Sequence, residues 1–234
     1  MSNKFIKLAA SCGFFFNKYL INLLFIFFTC NLFSQENIKF QATFNSEALK
    51  LNKNYNLNKY HFNIKKLKFY VSNISYYNRK KHQIFRDEKV YLVDFNNPKS
   101  LKIKSLINKK VHLHSFDLGL DSIINVSGSM GGALDPIEGM YWAWQSGYIN
   151  FKVEWESNMC TNDNNQFIFH LGGYKKPYYN KRTVLVKKRH INKLTFNLNK
   201  FLKKISCGRQ TIMSPSLRGE NISNLIVKSF EFKK

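Results

Sequence analysis

Acidic residues are the first thing this sequence has little of. Fourteen Asp and Glu stand against thirty-seven Lys and Arg in 234 residues, a formal charge of +23. The excess is mostly Lys, spread along the whole chain and matched by an equally general abundance of Asn. A nucleic-acid interface concentrates its charge locally and reads base edges with Arg. Arg is scarce here, and zinc-finger spacing, a helix-turn-helix signature and RNP-like motifs are all missing, so nucleic acid is excluded as a partner. Gly-x-Ser-x-Gly, His-Glu-x-x-His and a phosphate loop are missing too, which removes the common hydrolase and NTPase chemistries. Long helical periodicity and internal repeats are absent. What remains is a weak, uniform attraction to anionic surfaces, which predicts loose association with the cell envelope.

The first 34 residues carry Lys4, Lys7 and Lys18 without an acid, then an apolar run from Tyr19 to Phe28 broken only by Asn22. A basic start, a short apolar core and a small residue before the polarity rises describe a secretory signal peptide over residues 1–34. The run is short for a membrane span, which needs roughly 20 apolar residues. The expected location is therefore outside the cytoplasm, in the periplasm or at the cell surface. An uncleaved anchor and lipidation at Cys30 are the alternatives. Residues 35–234 then form one domain. It keeps Cys160 and Cys207, which an oxidising compartment lets bridge; two free thiols are equally compatible with the sequence.

Aromatic content is high, at 16%. Short alternating segments punctuated by Asn and Gly favour β structure. Ile38, Phe40, Ala42 and Phe44 share one face of a first strand. Residues 61–77 give a long strand pattern, and 90–95, 101–107, 110–118, 140–154 and 166–171 give others. Residues 182–188 and 190–198 read as a further strand pair, and 224–232 as the last strand. Residues 45–60 and 122–139 read as loops. The pattern predicts an antiparallel β-sandwich of roughly nine strands with long loops.

Chemistry concentrates around Gly139 to Glu154, which holds two of the three tryptophans. Pairing of this stretch with Phe167-Ile168-Phe169-His170 would bring Trp142 or Trp144 near His170. His112 and His114 alternate onto one face of a strand, a spacing that can chelate a metal. Asp135 and Glu138 could act as acid and base, but loop capping suits them better. Asp117 and Asp121 flank a Gly turn and are expected to make local hydrogen bonds to backbone. An intact indole has one N–H and no lone pair for a metal.

Met140-Tyr141-Trp142-Ala143-Trp144-Gln145-Ser146-Gly147-Tyr148-Ile149-Asn150-Phe151, followed by Phe169-His170-Leu171-Gly172, resembles the MbnP-like copper-binding proteins in their Bacteroidetes-type version. Leu67 to Ile74, Phe116 to Ser122 and Ile212 to Pro215 match in the same order. The resemblance implies a β-sandwich, a periplasmic protein associated with methanobactin and copper scavenging, and no enzymatic activity. It implies copper held by two histidines and a tryptophan converted to kynurenine by a dihaem partner of the MauG type. Carried over, His170 is the histidine before Leu-Gly. Trp142 is the modified tryptophan, with Trp144 second. The other histidine is expected in the loop before the tryptophans, and residues 128–139 contain none. Asp135, Met130 or a distant His114 are the candidates to replace it. If the metal site is lost, the alternative is a metal-free envelope sandwich that binds protein or glycan through its aromatic strand.

Overall fold

The computed structural model describes residues 36–107, 110–145, 147–160, 165–188, 191–208 and 210–233. The expected signal segment, Cys30 and His190 lie outside them. The chain is β-rich, with two sheets packed face to face. Everything is laid out from the strand Tyr60–Asn78. One of its edges pairs first with Gly147–Ser157 and then, beyond Tyr70, with Val111–Leu118. The opposite edge takes Asn54–Leu57, Tyr91–Asp94 and Gln83–Asp87. A bulge lets one strand serve all of these. Register shifts between Ser72 and Tyr76, and Asn73 sits at φ 48, a left-handed conformation that Asn tolerates. Gln166–Gly172 pairs outside Gly147–Ser157, and Arg182–Leu185 outside Val111–Leu118.

The second sheet is built on Glu36–Phe44. It pairs with Lys102–Ile107, Glu47–Ala48 and Lys193–Asn197, and the last of these with Phe230–Lys233. Ile38, Phe40, Ala42 and Phe44 are buried as the alternation required. Aromatic rings lock the sheets together. Phe69 meets Phe40 edge-on at 5.7 Å and Phe230 at 6.0 Å, and Phe151 meets Phe196 at 5.5 Å. Such rings bury large apolar area and prefer these edge-to-face contacts.

The sandwich departs from the sequence reading in five places. Residues 45–60, read as a loop, hold the short strands Glu47–Ala48 and Asn54–Leu57. Residues 140–154 are not one strand: Tyr141–Trp142 pairs back on Gly147–Tyr148, so the chain reverses after Trp142. Residues 182–188 and 190–198 are not partners. Arg182–Leu185 and Lys193–Asn197 join different sheets. Two pairings are parallel, Glu36–Phe44 with Lys193–Asn197 and Gln166–Gly172 with Thr211–Ile212, so the sheets are mixed. The expected strand 224–232 is instead the end of a helix, Leu217–Lys228, followed by the strand Phe230–Lys233. Ser216 caps that helix through Gly219 N–H, and Gly219, Ile222, Ser223 and Ile226 form its buried face. Among the described residues no helix is long and apolar enough to cross a membrane.

Cys160 and Cys207 form a disulfide, with Cα atoms 5.5 Å apart. Cys160 follows a strand of the first sheet. Cys207 follows the helix Leu198–Leu202, which leaves the second sheet. The bridge closes a separation of 47 residues, so it restricts the unfolded chain strongly. Replacing both cysteines by Ala should lower the unfolding free energy by about 2–4 kcal/mol while keeping the far-UV spectrum. Urea unfolding of the two proteins measures it, and equal midpoints would contradict the assigned role.

Candidate functional site

Strands Gly147–Ser157 and Val111–Leu118 lie on the same edge of Tyr60–Asn78 and part beside Tyr70. The stretches Phe116 to Ser122 and Gly147 to Phe151 come together at that parting. Gly119 N–H donates to Tyr70 O (2.9 Å), and Ser72 Oγ donates to Gly119 O (2.7 Å). A bulge between Ile149 and Phe151 frees Asn150 from the ladder, and its Oδ1 accepts Leu120 N–H at 3.0 Å. Gly119 stands at φ +100, and a Cβ there would lie 2.4 Å from Asn150 Cγ, so only glycine fits.

The same stretches hold down the excursion 119–145. Asn125 accepts Tyr148 N–H through Oδ1 at 2.9 Å and donates to Asp121 O at 2.8 Å. The Tyr148 hydroxyl accepts Met130 N–H (3.1 Å) and lies within donating reach of Leu134 O (3.0 Å) and Gly128 O (3.1 Å). Asp121 and Asp135 cap short helices by accepting Ile124 and Ile137 N–H. Asp117 does not make the local bond expected of it. Its carboxylate instead gathers the Asn73 side chain from the central strand and those of Lys181 and Thr183 from the segment at Arg182–Leu185; against burial, these donors hold it below the usual carboxylate range.

Trp142 and His170 lie on one face of the sheet. His170 and Gly172 are two apart on a strand and share that face. The six-membered ring of Trp142 lies where Gly172 would carry a side chain, with a Cβ there only 2.6 Å from the ring. Trp142 is 4% exposed and His170 7%. Trp144 touches Trp142 at 5.7 Å between centroids but is 65% exposed.

His170 Nε2 is 2.8 Å from Glu154 Oε1, and Glu154 Oε2 is 3.0 Å from Lys66 Nζ. The His170 bond comes first in holding the Glu154 carboxyl at about 2, against burial, with Lys66 adding to it. Burial pushes the His170 imidazole below its ordinary value. Lys152 and Lys66 add to that, and Glu154 opposes it. A neutral ring beside an ionised carboxylate carries its proton on Nε2, leaving Nδ1 with the lone pair. Lys152 and Lys68 extend this ladder. They donate to Gly139 O (2.6 Å) and Glu138 O (3.2 Å), and Lys68 also pairs with Asp94.

The remaining candidates stay apart from His170. His114 lies opposite the Ser75–Tyr76 region of the central strand, whereas His170 aligns through Lys152 with Lys68. Seven residues of strand separate these positions by roughly 23 Å. His112 and His114 border a separate cleft with Leu185 and Lys187. Asp135 is occupied as a cap, and the side chain of Met130 is exposed. Among the described residues no three His, Cys, Asp or Glu side chains converge as a metal site. An intact Trp142 offers copper nothing. The donors fit a single imidazole anchor aimed by a carboxylate, not a closed ligand set. Glu154 was visible in the sequence only as a nearby acid. Its role needed the cross-strand register, which no periodicity reveals.

Two expectations follow. Glu154 and His170 both bind protons less readily folded than unfolded. Their stability is complete at high pH and lost on acidification, from 6.5 downward for His170 and from 4.5 to about 2 for Glu154. Glu154→Gln should flatten the lower part of that acid limb. It should also move the His170 titration still lower, since the carboxylate was raising it; ring-proton NMR reads this, and an upward shift would refute the pairing. Gly172→Ala should displace Trp142, cost about 1–3 kcal/mol, and red-shift the tryptophan emission. An unmoved spectrum would contradict the close approach.

A family profile described as MbnP matches residues 34–216. Among solved structures, MbnP from Methylosinus trichosporium is similar, with a TM-score of 0.56 at 12% identity, covering 76% of this chain and 82% of that one. At that identity the likeness speaks for the fold alone. No curated protein sequence matches. The profile spans most of the chain and takes in the hairpin, the His170 strand and the Gly119 turn, and on that extent the chain belongs to the MbnP family.

Proposed function

We propose that this protein is an exported copper-handling protein of the periplasm or cell surface, which acquires or carries the metal without catalysing a reaction. The observation that carries the reading is Trp142 laid across Gly172 on the face that bears His170, with Glu154 fixing the His170 tautomer. Copper accepts imidazole nitrogen readily. A histidine that donates its other N–H to a carboxylate is the usual form of an oriented ligand. His170 would hold the metal through Nδ1. Glu154 and Lys66 would orient and charge-balance the ring. Trp142 would wall the site from water. Oxidation of Trp142 to kynurenine by a dihaem partner of the MauG type would convert a donor-only indole into an aromatic amine beside His170. That supplies the second nitrogen which residues 128–139 do not.

Copper bound per chain, after loading with Cu(I) and with Cu(II), tests this in wild type, His170→Ala and Glu154→Gln, with intact mass on each sample. The wild type should hold about one copper, His170→Ala almost none, and Glu154→Gln should bind about 10–100-fold more weakly. A mass gain localised to Trp142 would support the partner. Copper retained at full stoichiometry in His170→Ala, or absent from the wild type in both oxidation states, would overturn the reading.

A further inference from the structure

Trp142 also borders a cleft of about 370 Å³ in which His170 takes no part. The cleft opens between the turn after Trp142 and the hairpin formed by Tyr174–Lys175 and Tyr178–Tyr179. Its walls include Trp142, Gln145, Tyr174, Tyr178, Lys175 and Lys176, and among the described residues no Asp or Glu lines it. Trp144, two-thirds exposed and in contact with Trp142, continues the aromatic wall into solvent. The indole N–H of Trp142 is buried and has no acceptor among the described residues. It is shut off from solvent, so the amide that the cleft itself offers is that of Gln145.

These features constrain the ligand. Flat aromatic faces ask for a flat apolar face. Gln145 asks for an oxygen acceptor. Lys175 and Lys176, both exposed, ask for negative charge. A polyphosphate has charge but no apolar face. An acyl chain has neither acceptor nor charge. A sugar ring presents a C–H face and a rim of oxygens, and a uronic acid adds the carboxylate. We propose that the cleft binds a carboxylate-bearing saccharide, stacked on the exposed Trp144 beside it and held by Lys175 and Lys176. Trp142 is shared with the proposed copper site, but the binding proposed here needs no metal.

Calorimetry on the purified, chelator-treated protein tests it, with an oligogalacturonate tetrasaccharide, a neutral maltotetraose, inorganic polyphosphate and anionic phosphatidylglycerol vesicles as probes. Removing metal keeps a failure here distinct from a failure of the copper reading. The tetrasaccharide should bind and the neutral sugar should not. Trp144→Ala and Lys175→Ala/Lys176→Ala should each weaken binding roughly fivefold or more. Lys80→Ala/Lys81→Ala, on a distant hairpin tip, should leave it unchanged. All of these positions are exposed, so the variants fold. Equal binding of the neutral sugar would overturn the carboxylate assignment. Binding equally weakened by the Lys80/Lys81 pair, or matched by polyphosphate and indifferent to Trp144, would reduce it to bulk charge attraction. Trp144-dependent binding of vesicles without saccharide binding would give the surface to lipid and refute the proposal.

Discussion

The parting of two strands beside Tyr70 is the constraint on which the rest of this molecule depends. One edge of the central strand cannot continue pairing where Gly147–Ser157 ends and Val111–Leu118 begins. Backbone groups exposed by such a break must find partners or pay desolvation. Asn150, freed by a bulge, and Ser72 supply them, and Gly119 alone can pass between. Once that junction is sealed, residues 119–145 are committed to folding back over the sheet. Tyr148 and Asn125 then fix where they lie.

Much of the family's signature is thereby explained without reference to metal. The Tyr-x-Asn of the hairpin, the Leu-Gly-Leu-Asp of the turn and the glycine after His170-Leu171 are all packing and hydrogen-bonding requirements. They position one tryptophan edge over one glycine. A chain can keep them whatever its metal ligands, and residues 128–139 of this one contain no histidine.

Electrostatics around His170 follow from the general shortage of acids. Glu154 is surrounded by Lys66, Lys152 and the imidazole, so it stays ionised to about 2 and keeps its neighbour's proton on Nε2. Lys68 and Lys152 meanwhile use carbonyls at the end of the short helix Pro136–Glu138 as counter-dipoles. The basic surplus is thus partly put to use, tying the excursion to the outer face of the sheet.

The sequence by itself determined the β-rich class, the buried face of the first strand, the extent of most strands and the residues of the hairpin and His170 strand. It could do so because period-two burial is written locally. It also held the cap and the spacing of the helix Leu217–Lys228, overridden in the reading by a coincident alternation near the chain's end. Only the tertiary structure decided that Trp142 and Trp144 sit on a tight reversal, that Glu154 faces His170, that Asp117 gathers side chains from two other segments, and that Cys160 meets Cys207. Each of these depends on register and on which strands become neighbours, and contacts between distant segments leave no periodic trace in the chain that makes them.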